Sequence, residues 1–144
     1  MTEPIILNRR PGPSIIAHFV ATSVLDYPSV GDVDARLDTW ARGEGRWAIA
    51  FHERHPVGIA SIVTLDDGFY AGWDCLLWLE VLPEARGQGI GRALLRWTIE
   101  HSERLIISAT PGAAPFYAAL LTHAQRIGDL FVIDTAAHAC ARVA

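Results

Sequence analysis

Apolar and polar positions follow two different periods along the chain. Ile5 to Leu7 is a short apolar run, read as a first strand, and Pro11-Gly12-Pro13 breaks it. Ser14 then stands as an N-cap before Ile15, Ile16, Phe19 and Val20, which are spaced as one helix face. Pro28 closes that segment. From Ser29 to Arg42 a second helical stripe carries Val33, Leu37, Trp40 and Ala41, and Gly43 and Gly45 stop it. Trp47 to Phe51 and Val57 to Leu65 are strand-length apolar runs. A turn over Glu53 to Pro56 joins them, so the pair is expected to form a hairpin. Asp66-Asp67-Gly68 is a further turn.

Cys75 to Leu82 is the most apolar run and suits a buried central strand. Gly89 to Arg104 is helical in pattern, with Ile90, Leu94, Trp97 and His101 near one stripe. Leu105 to Ala109 reads as a short buried strand, and a last helix is expected between about Pro111 and Gln125. Leu130 to Ile133 and Ala137 to Val143 are then available to close a sheet. There is no internal repeat and no linker, so residues 1–144 are expected to form one domain of mixed α/β class.

Composition narrows the reading. With 144 residues, 51% hydrophobic and 19% charged, the chain can bury a real core and is not a disordered or low-complexity protein. All twelve basic residues are Arg, and the net charge of −4 gives no nucleic-acid footprint. The charge is uneven: Asp26 to Glu84 carries eleven acids against four Arg, whereas Ala85 to Thr110 carries four Arg against two Glu. That pattern favours a cationic ligand near an anionic one, or is ordinary surface charge. Cys75 and Cys140 match no metal or redox spacing, and His52-Glu53-Arg54-His55 lacks the spacing of a zinc helix. No metal is expected. No apolar run has the length of a membrane span and the N-terminus does not read as a signal peptide, so a cytoplasmic protein without membrane contact is expected.

The informative segment is Val81-Leu82-Pro83-Glu84-Ala85-Arg86-Gly87-Gln88-Gly89-Ile90-Gly91-Arg92. A buried strand runs into a glycine-rich turn that opens an amphipathic helix. Alternating glycines let backbone N–H groups approach a ligand, and a helix start adds unpaired donors and a positive dipole end. Arg86 and Arg92 flank the turn. Together these features point to a phosphate or pyrophosphate. The spacing G-x-G-x-G is not the dinucleotide fingerprint, and without Lys the chain cannot form a P-loop.

On these residues the chain resembles the GCN5-related N-acetyltransferases (GNAT). Their acetyl-CoA loop, Q/R-x-x-G-x-G/A, is matched by Arg86, Gly89 and Gly91, and the preceding V-x-P by Val81-Leu82-Pro83. The order of elements agrees along nearly the whole chain. The resemblance implies a mixed, mostly antiparallel central sheet flanked by helices, with strands splayed at the acetyl-CoA site. It implies that backbone amides from Arg86 through Gly87, Gln88, Gly89, Ile90 and Gly91 to Arg92 hold the pyrophosphate. Pantetheine would lie along Leu79, Glu80 and Val81, with the Val81 N–H polarising the thioester carbonyl. Phe116-Tyr117 falls where the family places its Tyr, so Tyr117 is the general-acid candidate, or an aromatic packing the helix onto the sheet. Thr110 stands near the family's pantetheine-binding Asn, where it donates one bond or caps the helix before Pro111. The common L-G-F is replaced by Leu120-Leu121-Thr122, and Pro115 lies two residues before Tyr117.

The acceptor implied is an amine: a polyamine, an aminoglycoside or a protein amino group. An alkylammonium with a pKa of about 10.4 must lose a proton before attack. Glu80 and Asp74 on the central strand are the candidate bases. A regular strand puts both on one face, and a bulge would separate them. Cys75 is expected to be a core thiol rather than a nucleophile. Trp40, Trp47, Trp73 and Trp78 are core residues or the lining of an acceptor pocket. Two rival readings are a CoA-binding sensor or pseudo-enzyme without turnover, and a binder of some other phosphate ligand. A homodimer through an exposed last strand near Ala137 to Val143 is also within the expectation.

Overall fold

The computed structural model describes residues 3–26 and 30–135. Seven strands and four helices follow in the order β1 (Ile5–Asn8), α1 (Pro13–Asp26), α2 (Val30–Ala41), β2 (Arg46–His52), β3 (His55–Thr64), β4 (Asp74–Val81), α3 (Ile90–Glu100), β5 (Arg104–Ser108), α4 (Ala114–Leu120), β6 (Gln125–Ile127) and β7 (Leu130–Asp134). The strands form one sheet in the order β1-β2-β3-β4-β5-β7-β6. Every neighbouring pair is antiparallel except β4 and β5. This is the mixed α/β, mostly antiparallel architecture expected from the sequence.

Strand alternation sorts the core into layers. Ala48, Ala50, Ala60 and Ile62 face α3 and pack against Ile90, Leu94 and Trp97. Trp47, Ile59 and Trp78 face the other way, against Ile16 and Phe19 of α1 with Leu37 and Trp40 of α2 beside them. Beyond β4, Leu95 and Ile99 of α3 and Tyr117 of α4 close over Leu105, Ile107, Phe131 and Ile133. The Trp47 and Trp78 rings meet edge to face at 6.3 Å. They fill the layer between the sheet and α1.

The small residues set how closely α3 sits. A Cβ placed on Gly58 of β3 would stand 2.8 Å from Leu94 Cδ1 and 2.9 Å from Ile90 Cγ2. The N-terminal turns of α3 therefore rest directly on β3 backbone. At the far end of α3 a polar clasp ties in β1. The donor-only Trp97 indole N–H bonds the Asn8 carboxamide oxygen, which turns the Asn8 nitrogen to His101 Nε2 at 3.3 Å. His101 Nδ1 lies 2.8 Å from the Trp97 carbonyl, an acceptor only. These fixed ends assign the proton of neutral His101 to Nδ1.

Three boundaries differ from the sequence reading. α3 ends at Glu100 rather than Arg104, because Arg104 already opens β5. α4 runs only from Ala114 to Leu120, within the expected span of Pro111 to Gln125. Its start is delayed because Ala113 and Ala114 donate to the Thr110 carbonyl in a separate turn, and Pro115 must occupy the first helical turn. Gln125 belongs to β6, which pairs with β7 through the two-residue turn Gly128-Asp129. The expected strand near Ala137 to Val143 lies outside the described residues. Among the described residues no helix is long and apolar enough to cross a membrane.

Candidate active site

The site begins where β4 and β5 separate. They pair in parallel only at Asp74 with Leu105 and Cys75 with Ile106. Beyond that the strands diverge, and the gap widens into a cleft of about 780 Å³ between β4, α3 and α4. A bulge in β4 accompanies the divergence: Ile62 pairs with Leu76 and Ser61 with Trp78, so Leu77 has no register partner on β3. Arg36 of α2 holds the bulge. Its Nε donates to the Leu77 carbonyl at 3.2 Å, and its guanidinium lies 5.4 Å over the Trp78 ring.

The backbone of β4 is presented to this cleft. Leu82 N–H donates to Val57 O on β3 at 2.9 Å, and Val81 sits opposite Gly58. Antiparallel alternation then turns the N–H and C=O of Leu79 and Val81 away from β3, into the gap that β5 has left. Leu79, Glu80 and Val81 all line the cleft.

The glycine-rich turn forms its outer wall. Pro83–Ala85 makes one 3₁₀ turn, and Gly87 and Gly89 take φ of 78° and 82°. Only glycine adopts that left-handed backbone at low cost. Nothing of the protein lies within 4 Å of a Cβ at either position, so their surfaces are open to a ligand. Gly89 is the N-cap of α3 and supplies no side-chain cap. The first helical bond, Ala93 N–H to Gly89 O at 3.0 Å, leaves the N–H groups of Ile90, Gly91 and Arg92 without helical acceptors. Backbone donors at a positive dipole end are an arrangement suited to an anion. Arg92 stands exposed beside it.

Arg86 behaves differently from Arg92. Its side chain folds back, donating from Nε to Val81 O at 3.0 Å and placing Nη2 3.6 Å from Glu80 Oε2. It braces the turn against β4 rather than offering its charge outward. Glu80 is 4% exposed, so Arg86 supplies a counter-charge to a buried carboxylate.

α4 closes the opposite wall. Tyr117 is buried, with its ring 5.2 Å from Phe116 and 5.9 Å from Phe131. Gly91 allows α4 to come this close: a Cβ there would sit 3.3 Å from Phe116 Cζ and 3.7 Å from Val81 Cγ2. Thr110 lines the cleft, and its Oγ1 accepts the Ala113 N–H at 3.3 Å. It caps the turn before α4, and its own O–H is a donor on the cleft side.

Asp74 is not brought to this place. The bulge at Leu77 reverses the alternation, so Asp74 opposite Thr64 and Glu80 opposite Ile59 project from opposite faces of β4. Asp74 is bound by Arg46 at 2.6 Å and by the Thr64 hydroxyl at 2.8 Å, in a separate depression at the far end of α3. Of the two alternatives the sequence left open, the bulged strand is the one found. Cys75 is half-buried, and burial pushes its thiol pKa up, which suits an inert core position. Among the described residues no group of three His, Cys, Asp or Glu is arranged to hold a metal ion.

Two further residues shape the site without having been singled out in the sequence. Gly58 had a signal, since an isolated glycine inside an apolar strand marks a close approach. Arg36 had none, because its partner is a carbonyl exposed only by a bulge.

Comparison with known proteins agrees with this geometry. The acetyltransferase (GNAT) domain family matches residues 43–120, more than half of the chain, and the chain belongs to that family. No curated protein matches it by sequence. Among solved structures, one from Exiguobacterium sp. 255-15 assigned as an acetyltransferase superposes with a TM-score of 0.74 at 19% identity, over 96% of this chain and 97% of that one. A GNAT family acetyltransferase from Brucella melitensis in complex with acetyl-CoA has a TM-score of 0.64 at 16% identity, over 90% and 88%. AAC(6')-Iy in complex with the bisubstrate analogue CoA-S-monomethyl-acetylneamine has a TM-score of 0.59 at 18% identity, over 82% and 89%. At these identities the likeness is one of fold.

Proposed function

We propose that the chain binds acetyl-CoA in the cleft between β4 and β5 and passes the acetyl group directly to an amine. One coincidence carries the reading. The outward-turned backbone of Leu79 and Val81, the uncapped glycine start of α3, and the side chains of Glu80 and Tyr117 all border the same cleft.

Bound there, acetyl-CoA supplies an activated acyl group as a thioester. The amides from Arg86 through Gly87, Gln88, Gly89, Ile90 and Gly91 to Arg92 hold its pyrophosphate, and the Arg92 side chain adds charge. Leu79, Glu80 and Val81 pair with the pantetheine arm as a further strand would, and the Thr110 hydroxyl donates to it. Val81 N–H polarises the thioester carbonyl and strengthens its bond as negative charge develops on that oxygen. Glu80, oriented by Arg86, takes a proton from the acceptor ammonium directly or through one water, and the free amine then attacks the thioester carbonyl. Tyr117 returns a proton to the departing sulfur. Asp74 has no place in this scheme, because Arg46 and Thr64 hold it outside the cleft.

The acceptor we favour is cationic. The segment from Asp26 to Glu84, which includes the elements on the Trp78 face of β4, carries a net charge of −7. The aminoglycoside-derived analogue bound by AAC(6')-Iy is a precedent for such an acceptor on this fold.

The test is thiol release from acetyl-CoA across a panel of polyamines, aminoglycosides and amino-terminal peptides. At least one amine should turn over. Glu80→Gln and Tyr117→Phe should each lower kcat by about 100-fold while leaving CoA affinity within about threefold. If CoA binds and no amine releases thiol, the second reading stands, a CoA-binding sensor. The observation favouring that reading is Tyr117 itself, packed on Phe131 in a seven-residue helix that carries Pro115 in its first turn.

A further inference from the structure

We infer that Arg36 is a positioning residue of the reaction: from α2 it clamps the bulge that turns the Leu79 and Val81 backbone into the cleft and Glu80 away from α3. The inference rests on the cleft being the acetyl-CoA site. The register of β3 and β4 shows what the bulge does. Cys75 stands opposite Val63 and Leu76 opposite Ile62, whereas Leu79, Glu80 and Val81 stand opposite Ala60, Ile59 and Gly58. Continued without the extra residue, the first register would set Leu79 opposite Ile59, Glu80 opposite Gly58 and Val81 opposite Val57.

Each of those changes would undo the site. Glu80 opposite Gly58 would put its carboxylate beneath α3, where Ile90 and Leu94 rest on the strand. The Val57 carbonyl faces β4, since it accepts the Leu82 N–H at 2.9 Å, and alternation gives Ile59 the same direction. Leu79 and Val81 would then pair their N–H and C=O groups with β3 and turn none of them into the gap.

The bulge takes the Leu77 carbonyl out of the ladder, and Arg36 receives it, donating from Nε at 3.2 Å. A charged donor makes the stronger kind of hydrogen bond. The guanidinium is itself held, 5.4 Å over the ring of Trp78, which is 1% exposed and braced edge to face by Trp47. Arg86 holds the other end of the same segment through Val81 O at 3.0 Å. Trp78, Leu79 and Glu80 are thus fixed between two guanidinium groups. The rival role for Arg36 is merely to cover Trp78.

Calorimetric titration of the full chain separates the two roles. The ligands are acetyl-CoA and phosphoadenosine diphosphate, the nucleotide half of CoA without its pantetheine arm. Arg36→Met keeps an apolar stem over Trp78 and removes the donor. It should weaken acetyl-CoA about tenfold and the nucleotide by less than about twofold, because only the arm reads the β4 backbone. Arg36→Lys keeps a charged donor at similar reach and should return acetyl-CoA affinity to within about threefold of wild type. With an amine that the wild type acetylates, kcat of Arg36→Met should fall about 30-fold, as the reacting groups shift by a fraction of an ångström. A covering role would lower the melting temperature and leave the ratio of the two affinities unchanged. That unchanged ratio in Arg36→Met, or an Arg36→Lys no tighter than Arg36→Met, would overturn the inference and leave the assignment of the cleft in place. Wild type that fails to bind acetyl-CoA would overturn both.

Discussion

Replacing Gly58 with Ala should destabilise the protein, although glycine to alanine within a strand ordinarily does the reverse. The new methyl would meet Leu94 Cδ1 at 2.8 Å and Ile90 Cγ2 at 2.9 Å, with Ala50 Cβ at 3.4 Å. Carbon atoms in contact prefer about 3.5–4.0 Å, so two side chains must retreat by most of an ångström. Neither has room, since Leu94 and Ile90 are 0% and 2% exposed. Overpacking of this kind costs about 1–3 kcal/mol, against about 0.5–1 kcal/mol recovered from the lower entropy of the unfolded chain. The net loss centres on about 1 kcal/mol within a span of about 0–2.5 kcal/mol, a central fall in Tm of about 3–4 °C for a domain of this size. The same displacement lifts the first turn of α3, so CoA affinity should fall several-fold. Thermal melts and a CoA titration read both effects. Gly12→Ala is the control, because nothing lies within 4 Å of a Cβ there and its φ lies outside the left-handed range. A Gly58→Ala protein that melts at or above wild type and binds CoA equally well would refute the packing argument.

The β2–β3 hairpin turns through Glu53 and Arg54, both at positive φ, 50° and 71°. Glu53→Asn with Arg54→Gly should relieve about 1–2 kcal/mol of backbone strain and raise Tm by a few degrees, whereas an unchanged or lower Tm would count against the turn geometry. Burial raises the Cys75 thiol above its ordinary value of 9.0, so folding favours its neutral form. That contribution is complete below pH 9 and is lost as pH rises further. Wild type should therefore lose Tm above pH 9 more steeply than Cys75→Ala, and parallel pH profiles would contradict this.

Much of the site was legible because it is local in sequence. The strand, the 3₁₀ turn, the two positive-φ glycines and the start of α3 lie between Asp74 and Arg92, and each has its own residue signal. What escaped depends on partners distant in sequence. The bulge at Leu77 arises in the register between β4 and β3, and it alone decides that Glu80 and Asp74 part company. Arg36 matters only because that bulge exposes a carbonyl. The sequence pattern of α4 runs longer than the helix because Ala and Leu continue to favour helix past Leu120. The Gly128-Asp129 turn, a two-residue hairpin signal, was the clue that Gln125 belonged to a strand. Tyr117 is a candidate only through the resemblance to the family, and its burial against Phe131 follows from the short helix that Pro115 and Thr110 define.

The central claim is that the turn from Arg86 to Arg92 is an acetyl-CoA site built from backbone donors. Calorimetric titration of acetyl-CoA into wild type and Gly89→Trp tests it most directly. A Cβ at Gly89 meets no protein atom within 4 Å, so an indole there would occupy the space in front of the amides, and at φ 82° any side chain also strains the turn that aims them. Wild type should bind with a dissociation constant in the micromolar range, and the variant, still folded by its thermal melt, should bind at least about 30-fold more weakly. Equal binding by both proteins, or none by either, would contradict the account.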